Sequence, residues 1–247
     1  MSTSQVSAPA LVLVHGFALD ARMWRRQVEA FEDRFRVMTV DLPGFGPQAR
    51  DLGEVEPAAE IGRALDASGL LGAHLVANSY GAAAAVDFAL ANPRRVHSLT
   101  LMGPLLLGRR TGFETWSRCV ALANEGDRAT ACELWLEDPL FEGVRQDETL
   151  YEEVRQIVLD YNGGHWTGRI TSRWMYPDPI SHVAALDVPA MIVSGEADIP
   201  SFVLMAEAYA KALPRVRREI IQGAGHFPNL EQPELFNEVL RYFIDNL

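Results

Sequence analysis

The chain has 247 residues, 48% apolar and 22% charged, which is the balance of an ordinary globular protein and enough for one large α/β domain. Its net charge of −11, from 33 acids against 22 bases, lacks the basic excess that nucleic acid and anionic membranes require, so neither is expected as a partner. Two cysteines, Cys119 and Cys132, make no disulfide framework, and no apolar run approaches the length of a membrane span.

Residues 1–9 are polar, without the basic start and apolar core of a secretory signal, so a disordered lead-in and a cytoplasmic location are expected. Ala10-Leu11-Val12-Leu13-Val14 is a continuous apolar run, the signature of a central parallel strand buried on both faces. A loop with His15-Gly16-Phe17 follows, then a helix with apolar residues at 24, 28 and 31. Residues 36–40 read as a second strand, closed by the turn formers of Asp41-Leu42-Pro43-Gly44-Phe45-Gly46. A helix opens at Pro57. A third strand over 74–77 runs into Ala77-Asn78-Ser79-Tyr80-Gly81 and an alanine-rich helix. Residues 96–102 form a fourth strand, closed by Gly103-Pro104.

The alternation then stops. Residues 105–182 are helical in character and rich in large aromatics, including Trp116, Trp135, Trp166 and Trp174. Strands over 189–194 and 217–221 and helices over 201–212 and 231–247 restore the rhythm. Six strand–helix units predict a mainly parallel six-stranded sheet flanked by helices. The insertion after the fourth strand should lie over the carboxyl ends of the strands, where such sheets bind ligands. The chain thus divides into a core, 1–104 and 183–247, and a helical lid, 105–182, that is not an independent domain.

Three strand ends carry reactive residues. Ser79 lies in a tight strand-to-helix turn, flanked two residues away by the small Ala77 and Gly81. Such a turn lifts the serine above the sheet, beside the first amides of the helix. A serine in a plain strand-to-helix connection is the competing reading. Asp198, in Gly195-Glu196-Ala197-Asp198 after the fifth strand, suits a triad acid or a helix N-cap ahead of Pro200, with Glu196 a rival acid. His226, in Gly223-Ala224-Gly225-His226-Phe227-Pro228 after the sixth strand, suits a base or a surface-loop histidine. All three fall on one edge of the expected sheet in the order Ser, Asp, His. No His/Cys/Asp/Glu group has metal spacing, and Gly44-Phe45-Gly46 lacks the third glycine of a dinucleotide fingerprint, so no metal and no other cofactor is expected.

Together with His15-Gly16-Phe17 and Trp24, the Asp41–Gly46 loop, and Gly225-His226 followed by Glu231-Gln232-Pro233, these motifs resemble the α/β-hydrolase superfamily over nearly the whole chain except the lid. The likeness extends to small bacterial carboxylesterases with a helical lid. It implies Ser79 as nucleophile, His226 as general base and acid, and Asp198 as the acid that orients the imidazole. It also implies an oxyanion hole from the backbone amides of Phe17 and Tyr80, with His15 shaping that loop and Asp41 bracing its own. Ala77 departs from the usual glycine, and Asn78 from a frequent histidine. Most small relatives open with an antiparallel hairpin; nine residues before Ala10 are too few for one, so the expected strand order is 2-1-3-4-5-6.

The resemblance implies hydrolysis of a small to medium hydrophobic carboxylic ester, by a monomer or homodimer. Trp116, Trp135, Phe141, Trp166 and Phe227 are the candidate substrate-binding residues, since ligand pockets are mostly apolar. A carbon–carbon bond hydrolase or a lactonase on the same triad is the alternative. Phe227, where many carbon–carbon bond hydrolases carry tryptophan, weakens the first of these. A small-ligand receptor of the same fold is the reading from another class.

Overall fold

The computed structural model describes residues 8–46 and 53–247. The expected lead-in falls mostly on residues 1–7, which lie outside the described residues.

Among the described residues, eight strands form: β1 (Ala10–Val14), β2 (Arg36–Val40), β3 (Gly53–Val55), β4 (Ala73–Asn78), β5 (Val96–Met102), β6 (Ile170–Ser172), β7 (Ala190–Gly195) and β8 (Val216–Ile221). Six make one sheet in the order β2-β1-β4-β5-β7-β8, and every neighbouring pair is parallel. This is the order expected from the sequence. All five residues of β1 and all six of β7 are buried, as continuous apolar runs require when both faces are covered. β8, at one edge, exposes Arg217 and Arg218; outward charges there discourage a further strand from pairing.

The helices are α1 (Arg25–Phe31), α2 (Pro57–Ala67), α3 (Ser79–Ala91), α4 (Trp116–Asn124), α5 (Arg128–Leu136), α6 (Glu142–Arg145), α7 (Glu148–Asp160), α8 (Ile180–Val183), α9 (Pro200–Ala212), α10 (Pro228–Glu231) and α11 (Pro233–Asp245). α1 packs on α11, α2 on α3, and α8 joins α3 to α9. α3 is buried from Ser79 through Ala89, and its alanines allow close approach to β1, β4 and β5. Among the described residues, no helix is long and apolar enough to cross a membrane.

Register sets up the site. Val14 pairs with Ala77, Ala77 with Leu101, Met102 with Val193, and Gly195 with Ile221, so the carboxyl ends of β1, β4, β5, β7 and β8 lie level. The loops that leave them open on one edge. Between β5 and β7 the chain forms α4–α8, with α4 packed on α5 and α5 on α7. This segment is not purely helical, which corrects the sequence reading: its β6 pairs in parallel with β3 in a second, two-stranded sheet.

Candidate active site

The turn from β4 to α3 holds Ser79 in a left-handed conformation, φ +51°, which among the described non-glycine residues only Ala18 shares in sign. Such strain costs about 1–3 kcal/mol and persists where surrounding structure enforces it. Here the enforcement is visible. A Cβ on Gly81 would strike the carbonyl oxygens of His15 and Val14, so the helix sits too close to the end of β1 for any larger residue. Ala77, whose methyl is the departure noted in the sequence, is fully buried, and the turn forms around it. Asn78 is a brace: its amide donates to the carbonyls of Met102 (3.2 Å) and His226 (3.3 Å), tying the elbow to β5 and to the loop after β8.

His226 and Asp198 meet at the ends of β8 and β7. His226 Nδ1 lies 3.0 and 3.1 Å from the two Asp198 oxygens, and the residues are 2% and 8% exposed. A carboxylate only accepts, so Nδ1 carries the proton and Nε2 keeps its lone pair. Asp198 also accepts from the Ile199 amide at 2.8 Å, although the N-cap of α9 is Ile199 itself. Glu196, the rival acid, is exposed and accepts from the Gly223 amide, turned away from His226. The imidazole stands against Phe202 (4.4 Å between ring centroids) and Phe227 (5.0 Å). Nε2 is buried and, among the described residues, has no hydrogen-bond partner; contact with Ser79 would therefore have to tighten on substrate binding.

Two further residues, named in the sequence motifs but given no role there, shape this pair. A Cβ on Gly103, at φ +48°, would come within 2.8–2.9 Å of the His226 ring and 3.3 Å of Asp198 Oδ2. Glu231 accepts from the amides of Gly225 and Phe227, the residues on either side of His226. Its signal in the sequence was an acid five residues after the histidine. Burial pushes its carboxyl above the ordinary range, although the two amides oppose this.

The loop after β1 approaches the elbow closely, since a Cβ on Gly16 would touch Asn78 and lie 3.5 Å from Ser79 Cβ. Phe17 follows, and Tyr80 is the second residue of α3, whose amide has no intrahelical acceptor. His15 Nε2 accepts from the Leu42 amide at 2.9 Å, so Nδ1 carries the proton and donates to Gly16 O at 2.8 Å. Burial lowers its pKa, which keeps it neutral, as this pair of bonds demands. Asp41 accepts from the Ala21 amide at 2.7 Å and so links its loop to the segment after β1.

Phe17 gathers seven rings around it: Phe45, Tyr80, Trp116, Trp135, Tyr161, His165 and Trp166, with centroids 5.2 to 6.1 Å away. Of the five candidate substrate-binding residues, Trp116, Trp135 and Trp166 belong to this set. Phe141 instead packs on Phe227 (5.1 Å) and Trp135 (6.0 Å). Phe45, Tyr161 and His165 were given no substrate-facing role from the sequence, since nothing local marks them for one. A cavity of about 470 Å³ lies elsewhere, beside α2, α3 and residues 173–175, and none of Ser79, Asp198 or His226 lines it. Among the described residues, no cluster of three or more His, Cys, Asp or Glu could hold a metal ion.

Residues 11–239 match the sequence profile of the alpha/beta hydrolase family. A 2-hydroxy-6-oxononadienedioate/2-hydroxy-6-oxononatrienedioate hydrolase from Burkholderia vietnamiensis is 29% identical over 264 residues, covering 95% of this chain and 86% of its own. Carboxylesterase YbfK from Bacillus subtilis is 26% identical over 258 residues, covering 96% and 80%. Among solved structures, a thermophilic esterase from Thermogutta terrifontis superposes with a TM-score of 0.82 at 26% identity, over 97% of this chain and 90% of its own.

Proposed function

As the chain belongs to the alpha/beta hydrolase family, we propose that it is a serine hydrolase that cleaves a small to medium hydrophobic carboxylic ester through an acyl-enzyme. Ser79 Oγ attacks the acyl carbon while His226 Nε2 takes its proton. Asp198 holds the Nδ1–H tautomer and stabilises the imidazolium. The amides of Phe17 and Tyr80 receive the oxyanion, each worth about 3 kcal/mol of barrier. The tetrahedral adduct collapses, and the alcohol leaves with the proton from His226. Water, deprotonated by His226, then attacks the acyl-Ser79, and the acid departs. Residues 105–182 act as the lid, and the rings around Phe17 form the acyl wall.

The observation that carries this reading is the buried His226–Asp198 bond, made at the sheet edge that also presents Ser79 in a strained turn. The test is labelling by a fluorophosphonate probe and turnover of p-nitrophenyl butyrate. Wild type should label at Ser79 and turn over, and Ser79→Ala should do neither, losing about 10⁴-fold or more in kcat. Equal rates in the two proteins would refute the assignment. Absence of labelling in folded wild type would favour a ligand receptor instead.

The likeness to the Burkholderia vietnamiensis hydrolase favours a second reading, in which the same residues act on a compound of the kind named for that relative. A panel of simple esters and that dioate separates the two by kcat/KM.

A further inference from the structure

We propose that the lid positions the general base: Phe141 and Gly143 seat on Phe227 and Glu231, and through them hold His226 in line for its chemistry. This rests on the ester-hydrolase reading and gives residues 139–145 a positioning role in that reaction, beyond covering the pocket.

Two contacts make the seat. Gly143, in α6, lies so close to Glu231 that a Cβ on it would overlap Oε2 and stand 2.5 Å from Cδ and 3.0 Å from Oε1. Phe141 packs its ring on Phe227 at 5.1 Å. Both partners belong to the loop of the base. Phe227 follows His226 and meets the imidazole at 5.0 Å. Glu231 accepts from the amides of Gly225 and Phe227, so its carboxylate spans the histidine.

The lid side of the seat is held firmly. Asp138 is fully buried and accepts from the amides of Leu140, Glu114 and Thr115, which ties the segment to the start of α4. Arg145 donates to the carbonyls of Leu136 and Asp138 and fixes the other end. Leu140, Phe141 and Val144 are buried. A methyl on Gly143 therefore displaces the carboxylate rather than the helix. Carbon contacts settle at about 3.5 Å, so the carboxylate must retreat by about 1 Å. A carboxylate that moves so far cannot keep both amides within hydrogen-bond range.

The same segment reaches the acyl wall. Phe141 meets Trp135 at 6.0 Å, so a line of rings runs from Trp135 through Phe141 and Phe227 to His226. Among the described residues, His226 Nε2 has no hydrogen-bond partner. Beyond the Asp198 bond, the imidazole takes its direction from what packs on it and on its loop, and the lid supplies part of that packing.

The experiment compares wild type, Gly143→Ala, Glu231→Ala and the double variant in turnover of p-nitrophenyl butyrate. Gly126→Ala is the lid control, since a Cβ there meets nothing within 4 Å. Gly143→Ala should lose about tenfold or more in kcat with KM within about threefold, and Gly126→Ala should stay within about twofold. In the Glu231→Ala background the same methyl enters space that the carboxylate has left, so it should change kcat by less than about twofold. A smaller loss in Gly143→Ala, a loss carried by KM, or a loss that persists without the Glu231 carboxylate would overturn the proposal. A second readout needs no turnover. The His226 Nδ1 proton is followed by NMR in protein labelled with ¹⁵N-histidine and assigned with His226→Gln. Its exchange with water should be about threefold faster or more in Gly143→Ala and in Phe141→Leu, and unchanged in Gly126→Ala. Exchange as slow as in wild type in either lid variant would overturn the proposal. If wild type hydrolyses no ester, the ester-hydrolase reading fails alone and this exchange still decides; Phe141→Leu decides it if Gly143→Ala does not fold.

Discussion

Gly103→Ala tests whether the His226–Asp198 pair depends on the end of β5. The new methyl would stand 2.8–2.9 Å from the imidazole and 3.3 Å from Asp198 Oδ2. Ordinary carbon contacts are about 3.5 Å, so the ring must retreat by about 0.6 Å. The backbone cannot relieve this cheaply: φ is +48°, where an L-residue costs about 1–2 kcal/mol. Overpacking adds about 1–3 kcal/mol. The sum, about 2–5 kcal/mol, lowers Tm by about 4–20 °C for a domain of this size. A misplacement of 1 Å can cost about 10²-fold, so a shift of about 0.6 Å should lower kcat about 10–50-fold. The assay is p-nitrophenyl butyrate turnover well below the variant's Tm, with the rate of fluorophosphonate labelling as a second readout. Gly126→Ala is the control. Gly126 also has positive φ, but a Cβ there meets nothing within 4 Å, so this variant should lose stability and keep kcat. A Gly103→Ala enzyme within twofold of wild type in both readouts would refute the role given to the close approach.

Glu231→Gln keeps one acceptor for the two amides flanking His226 and turns an NH₂ toward the other, so kcat should fall about tenfold with KM within twofold; an unchanged kcat would show that the loop holds without it. Because burial raises the Glu231 pKa above its ordinary 4.5, the native state binds more protons than the unfolded chain in the window above that value, and stability falls as pH rises through it; the glutamine variant should lack that slope in calorimetric Tm. His74 and His165 have the opposite sign. Burial holds both at about 4, so below 6.5 the unfolded chain binds more protons and stability falls as pH drops toward 4. His74→Gln should lose less Tm than wild type between pH 7 and pH 4.5, and parallel losses would count against this. Cys132, pushed up to about 11 by burial, and Cys119, also raised, should resist Ellman's reagent at pH 8 until the protein is unfolded; rapid native labelling of either would contradict their placement.

The sheet was legible because its central strands write their burial into composition. Ala10–Val14 and Ala190–Val193 are apolar without interruption, and only strands covered on both faces need that. β3 and β6 were not legible. Gly53-Glu54-Val55 and Ile170-Thr171-Ser172 are too short for any period, and each is a strand only because the other lies beside it. Sequence order likewise put Ser79, Asp198 and His226 on one edge, and the resemblance favoured Asp198 over Glu196. What separates the two acids physically is direction: two residues apart on a tight turn, one carboxylate faces the imidazole and the other the amide of Gly223.

The aromatic residues show where such reading stops, and why. Trp116, Trp135 and Trp166 stood out by size, yet size alone assigns no position. Phe45 and His165 are far apart in the chain, one from the loop after β2 and one from the segment before β6. They stack on each other and both meet Phe17 from the loop after β1 and Tyr80 from the elbow. No window of sequence contains that relation. One local tie in this set is Tyr161, whose hydroxyl accepts from the His165 amide at 3.0 Å and lies 3.1 Å from the Nδ1 atom of the same residue. Tyr161→Phe deletes that hydroxyl, leaves the ring that packs on Phe17, and strands a part-buried amide. The loss should be about 1–3 kcal/mol, which lowers Tm by about 2–12 °C for a domain of this size. An unaltered Tm in Tyr161→Phe would mean that this hydroxyl does not hold the loop that carries His165.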